Sequence, residues 1–256
     1  MVRNFDQAGY YETRMILLIF ALALSLYFMT KKKDKNYIVI FLSSAIFFSI
    51  VELIMTILGM RAENWAISIF GLIIPSYLTW IVQGFGEGCI YGVSGFLFLD
   101  MYLKRADKTE YNLRRNLFIV DMVLVFGCSI IIGIVAYKRP ITSVRPMFGV
   151  VQFLYLTSVI IISIILAKFY GGAGFFKMLA YYLLGSFLFI VINLEFLQFI
   201  DVRYIGVLRE DGTVVKANLG YQILIMVYSY LYEITLPRAH YLVVPVALGL
   251  IKLEKK

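Results

Sequence analysis

WIVQGFGEGCIYGVSGFLFLD, residues 80–100, is the stretch whose pattern decides how this chain folds. It carries only two formal charges, Glu87 and Asp100. At about 1.5 Å of rise per residue, a helix of this length covers the ~30 Å hydrocarbon core of a bilayer. Gly84, Gly88, Gly92 and Gly95 line one helix face, and Gln83, Glu87, Tyr91 and Ser94 line another about 100° round. Small residues on one face let helices close to backbone contact in lipid. An ionisable side chain at membrane depth is costly unless paired or wetted, which makes Glu87 the first candidate functional residue.

The same pattern recurs along the chain. Of 256 residues, 61% are hydrophobic, and the mean hydropathy is +0.85. Soluble domains run nearer half apolar. Apolar runs bounded by charge predict spans at 13–30, 37–60, 77–103, 116–137, 147–168, 177–200 and 220–251. The fold class is therefore all-α: a polytopic transmembrane bundle of seven spans, one integral membrane domain over 1–256. Continuous rather than alternating apolar runs argue against a β-barrel. Residues 66–103 are too many for one span and include Pro75, so 66–76 is expected at the outer surface or as a re-entrant segment. Eight spans is the alternative count. Pro237 predicts a kink in one long last helix, because 241–251 alone is too short to cross. In the loop 201–219, Asp211-Gly212 between β-prone runs predicts a small β-hairpin.

Charge sets the expected orientation. Lys and Arg number fourteen in 31–36, 104–115, 168–177 and 252–256, against nine in the segments on the other side. The positive-inside rule then places the N-terminus outside and the C-terminus in the cytoplasm. Lys31, Lys32, Lys33 and Lys35 follow the first span rather than precede it, as in a signal-anchor rather than a cleaved leader. The net charge of +8 resides in short loops, and no basic helix is interleaved with aromatics, so nucleic acid is not an expected partner. Cys89 and Cys128, both in apolar runs, give no disulfide framework. The single histidine, His240, cannot build a multi-histidine zinc site. No metal or cofactor is expected.

Depth organises the polar residues. At about 1.5 Å per residue, Glu52, Glu87, Glu195 and Glu233 lie roughly 12, 15, 8 and 20 Å from the outer ends of their spans. Gln83, Gln152, Asn193, Gln198 and Gln222 share that outer half. A polar pocket formed by spans two, three, six and seven follows. Asp100 and Asp121 fall near inner ends, within expected reach of water, Lys104 or Arg115. An echo of Glu52 and Arg61 in Glu195 and Arg203, each pair closing a span, fits a 3+1+3 internal repeat.

The chemistry expected of such a pocket is acid–base. A desolvated carboxyl holds a proton near neutrality and can deliver it. Glu87 is the expected acid, Glu52 or Glu233 the partner base, His240 a proton carrier and Arg238 the anchor of a polar headgroup. Gln83, Tyr91, Asn193, Glu195, Tyr228 and Tyr232 complete the expected substrate-binding set. Gly92-Val93-Ser94-Gly95 has the GxSG shape of an intramembrane serine protease. Three spans separate it from His240, however, and glycine-face packing already explains it. The expected function is isomerisation, hydration or cyclisation of a lipid or isoprenoid, so the expected partner is a membrane lipid or hydrophobic small molecule. Proton-coupled transport and ligand reception are the alternatives.

Overall fold

The computed structural model describes residues 2–5, 9–59, 67–136, 143–146, 149–211 and 213–253. Seven helical rods follow one another: α1 (Tyr10–Lys31), α2 (Asn36–Ile57), α3 (79–103), α4 (Lys108–Ala136), α5 (Val150–Tyr170), α6 (Phe175–Phe199) and α7 (219–247). Five of them, all but α3 and α7, are helices long and apolar enough to cross a membrane.

The other two rods are helical throughout but change pitch. In α3, a π-helical turn over Gly84–Gly88 separates α-helical Thr79–Gln83 from Cys89–Leu103. Three glycines leave that widened turn free of side-chain crowding. In α7, π-helical Tyr228–Thr235 and 3-10 Leu236–Arg238 join Leu219–Val227 to Ala239–Ala247. Pro237 has no N–H to donate, so the regular ladder breaks there, as its place in the sequence predicts.

Among the described residues, six strands cap one end of the bundle: β1 (Val2–Phe5), β2 (Ile67–Ile69), β3 (Leu72–Ile74), β4 (Ser143–Pro146), β5 (Arg203–Leu208) and β6 (Val214–Lys216). Four form an antiparallel sheet in the order β4-β1-β5-β6. That sheet ties together the chain before α1, between α4 and α5, and between α6 and α7. These segments therefore share one end, with even numbers of rods between them. The hairpin expected in 201–219 is present as β5 paired with β6, with Gly206 opposite Lys216. The sheet adds two strands to it, which a purely all-α reading lacks. The segment expected at the surface or re-entrant is the β2–β3 hairpin, whose turn residues Phe70 and Gly71 have φ of 50° and 80°. Both positive values suit a tight hairpin turn.

Three boundaries differ from the sequence expectation. α1 begins at Tyr10 rather than 13, so Tyr10 and Tyr11 are helical residues one turn before Arg14. α4 begins at Lys108 because Asp107 caps it, accepting from the backbone N–H of Thr109 at 3.0 Å and of Glu110 at 3.1 Å. α7 ends at Ala247 rather than 251. Charged residues had been taken as loop markers, whereas these helices begin inside the charged segments. Arg61, half of the internal echo, lies outside the described residues.

The glycine face of α3 packs as its spacing predicts. A Cβ on Gly88 would lie 2.5 Å from the Ser44 carbonyl oxygen of α2, and one on Gly84 2.6 Å from that of Ala45. A Cβ on Gly95 would lie 2.8 Å from the Tyr182 carbonyl of α6, where Gly185 in turn faces Phe98. At Gly92 the obstacle is different: Ser44 Oγ at 2.0 Å and Ser44 Cβ at 2.6 Å. Gly92→Ala and Gly88→Ala are each expected to cost about 1–3 kcal/mol through overpacking. Adding Ser44→Gly should recover the Gly92 variant, whose clash is with a side chain, and not the Gly88 variant, whose clash is with backbone. Thermal unfolding in detergent reads both; equal rescue of the two would contradict the packing described.

At the end opposite the sheet, Arg114 (2% exposed) forms ion pairs with Asp100 (3% exposed) and Glu110. The Tyr37 hydroxyl donates to Asp100 at 2.9 Å, and Lys32 donates to Glu110 at 2.7 Å. One network thus joins the ends of α1 to α4. Asp121 is also buried and accepts from Ser94 Oγ at 2.6 Å. Neither aspartate meets Arg115, which had been expected nearby. Helical phase turns Arg114, one residue earlier, inward.

Candidate functional site

The site assembles from five rods: α1, α2, α3, α6 and α7. Arg14 leaves α1 fully buried, at 0% exposure. One turn earlier, the Tyr10 hydroxyl accepts from Arg14 Nη2 at 2.6 Å, and the guanidinium carbon lies 4.3 Å from the Tyr10 ring centre. Tyr91 of α3 receives a longer bond from Arg14, at 3.5 Å. With its amide oxygen turned toward Arg14, Asn193 of α6 accepts from both terminal nitrogens at 2.5 and 2.9 Å. The opposite orientation would set NH2 against guanidinium, so the hydrogen bonding decides it.

Arg238 approaches Tyr91 from α7, with its guanidinium carbon 3.9 Å from the Tyr91 ring centre. It donates to the Ile234 carbonyl through Nη1. Tyr91 is thus flanked by two cations, a contact that an aromatic quadrupole favours.

Two carboxylates complete the group. Glu52 of α2 is 2% exposed. With its nitrogen turned toward Glu52, Gln83 donates to both carboxylate oxygens, at 2.6 and 3.1 Å, and accepts from the Tyr11 hydroxyl at 3.1 Å. Glu87 sits in the π-helical turn, within electrostatic reach of Arg14, Glu52, Arg238 and Tyr10. Its neighbours in the cluster are all buried, while Glu87 itself keeps accessible surface. The glycine contacts between α2 and α3 explain the proximity of Glu52 to Gln83 and Glu87, because they remove the side-chain layer that normally separates two helices.

Glu52, Gln83, Glu87, Tyr91, Asn193 and Arg238 therefore come together, and other expected site residues lie elsewhere. Glu233 accepts from Gln152 of α5 at 2.7 Å and from Ser229 at 3.0 Å. Tyr232 donates to the Phe153 carbonyl at 3.0 Å and stacks with both Phe153 and Tyr228, in a seam between α5 and α7. Glu195 accepts from Tyr230 at 3.2 Å, beside Gln198. His240 meets the Pro237 carbonyl through Nδ1, and its ring packs edge-on against Phe47 and Tyr241 rather than facing a glutamate. Among the described residues no three His, Cys, Asp or Glu side chains gather as a metal cage.

Sequence reasoning missed Arg14, Tyr10 and Tyr11. Tyr10 and Arg14 are four residues apart, one helical turn, but at the edge of an apolar run that spacing reads as a span boundary. Compared with known proteins, the chain matches no family model, no curated protein and no solved structure.

Proposed function

We propose that this is a seven-span membrane enzyme, N-terminus outside, that performs acid–base chemistry on a membrane lipid or isoprenoid. The observation that carries this is the meeting of Glu52 and Glu87 in a buried cluster that also holds two arginines and three tyrosines. One carboxyl delivers a proton while a second accepts one, which is what isomerisation, hydration or cyclisation of a double bond requires. Glu87, with accessible surface, is the proton donor to substrate, and Glu52, oriented by Gln83, is its partner. Tyrosine rings stabilise cationic character developing on the substrate. The π-helical turn at Glu87 also fits, since such turns often accompany functional sites. That α3 and α7 each hold a glutamate in a π-helical segment supports the 3+1+3 arrangement.

The test is lipid and isoprenoid profiling of cells expressing wild type or Glu87→Gln. Glu87→Gln should lower the wild-type-dependent product at least about 100-fold, the smaller end of what a positioned general acid contributes. Matching profiles would end the enzyme reading.

A second reading, proton-coupled transport, is favoured by the buried polar groups of the other half: Ser94 with Asp121, and Asp100 with Arg114. Loss of a proton-driven uptake signal in Glu87→Gln, with unchanged lipids, would select it.

A further inference from the structure

Arginines 14 and 238 are buried, at 0% and 4% exposure, and both reach the ring of Tyr91. Their guanidinium carbons lie 5.8 and 3.9 Å from its centre, so they are no more than 9.7 Å apart. Among the described residues neither has a carboxylate within 4 Å. In each, the Nε–H is buried with no hydrogen-bond partner among the described residues. Burying a charge without a contact counter-ion, and a donor without an acceptor, is costly in any protein interior and more so at membrane depth. Both terminal nitrogens of Arg14 are taken by Asn193, so the buried Nε–H of each arginine is the donor left for a carboxylate or phosphate oxygen.

We infer that Arg14 and Arg238 form a receptor for an oxyanion, the carboxylate or phosphate group of the substrate, and that Glu87 takes up one proton when the anion binds. The inference rests on the site proposed above and specifies the ligand as anionic. Glu87 is the carboxylate that both arginines feel. An anion seated on the arginines takes over its role as counter-charge. Two negative groups beside one arginine pair repel each other, so Glu87 gains a proton from water as the anion arrives. That proton is the one the acid–base chemistry needs. Anion binding therefore loads the acid.

The groups facing Glu87 are known from each packed element. They are Tyr10 and Arg14 on α1, Glu52 on α2 and Arg238 on α7, with Tyr91 facing Tyr10 and Arg14. Tyr155 of α5 faces Glu52, and Tyr182 and Tyr241 lie near Arg238. Of these only Glu52 is a second carboxyl, and Gln83 holds it.

Calorimetry on the purified full chain tests this, at one pH in two buffers of different ionisation heat. The probes are inorganic phosphate, oleate, and nanodiscs containing phosphatidate or phosphatidylcholine alone. Wild type should bind at least one anionic probe with uptake of about one proton. Binding of free phosphate would mark a soluble anion as the source, and binding of oleate or phosphatidate alone would mark an amphiphile. Arg238→Gln should weaken binding at least tenfold. Glu87→Gln, which is isosteric and lacks the repelling charge, should bind at least as tightly as wild type and without proton uptake. The inference falls if wild type binds no anionic probe, if binding carries no proton uptake, or if uptake persists in Glu87→Gln. Anion binding with unchanged lipid profiles would instead sink only the enzyme reading, and changed lipid profiles without anion binding only this one.

Discussion

Arg14→Leu is expected to destabilise the protein by about 3–5 kcal/mol, the range for stranding the partners of a buried cation. Three groups lose their contact at once: the Asn193 amide oxygen, the Tyr10 hydroxyl and the Tyr91 hydroxyl. An interior acceptor left unmade costs about 1–3 kcal/mol, so two of the three suffice for the total. Leucine also removes one of the two cations near Glu87. Arg14→Lys keeps the charge but not the planar fork that reaches Asn193 with two nitrogens, and it should recover only part of the loss. Thermal and denaturant unfolding in detergent measure the difference. A change under about 1 kcal/mol for Arg14→Leu would mean that water, not Asn193, satisfies the guanidinium.

Arg114→Leu is expected to cost a similar amount, about 3–5 kcal/mol, because it leaves Asp100 buried without a cation. The informative comparison is the double variant Arg114→Leu with Asp100→Leu. Replacing both members of a buried pair by apolar side chains is often neutral, so the double variant should be markedly more stable than Arg114→Leu alone. The exposed arm of the same network is a contrast. Lys32 and Glu110 keep 32% and 26% of their side-chain surface, and Lys32→Ala should cost far less than Arg114→Leu. If Arg114→Leu and Lys32→Ala prove equal, burial is not what gives the network its strength.

The two buried arginines explain why some of the site was legible and some was not. Glu87 and Gln83 stand out because each interrupts a long apolar run. The spacing of Gly84, Gly88 and Gly92 states in advance that some helix will press against this face of α3, and the close approaches at Ser44 and Ala45 show that the helix is α2. Arg14 gave no such alarm. Near the start of an apolar run a cation is usually a boundary marker, and nothing local tells a helix that begins at Tyr10 from one that begins at 13. Asn193 gathers with Arg14 across 179 residues of chain, a contact only packing can make. Glu233 meets Gln152 and Ser229 rather than the cluster, from a widened turn over Tyr228–Thr235 that departs from the regular 100° per residue.

Periodicity and charge determined the class of this protein by themselves, since apolar runs and short charged connectors depend on solvent transfer alone, which each residue carries independently of its partners. They also determined the glycine-mediated contact, because removing a Cβ acts wherever that face is turned. Tertiary structure alone decided which charges meet. Glu52, Glu87, Arg14 and Arg238 lie on four rods, and their grouping depends on helix azimuth, two π-helical segments and a sheet that gathers three distant connectors at one end. Electrostatic partnership is a property of distance, and across this chain distance is set by packing.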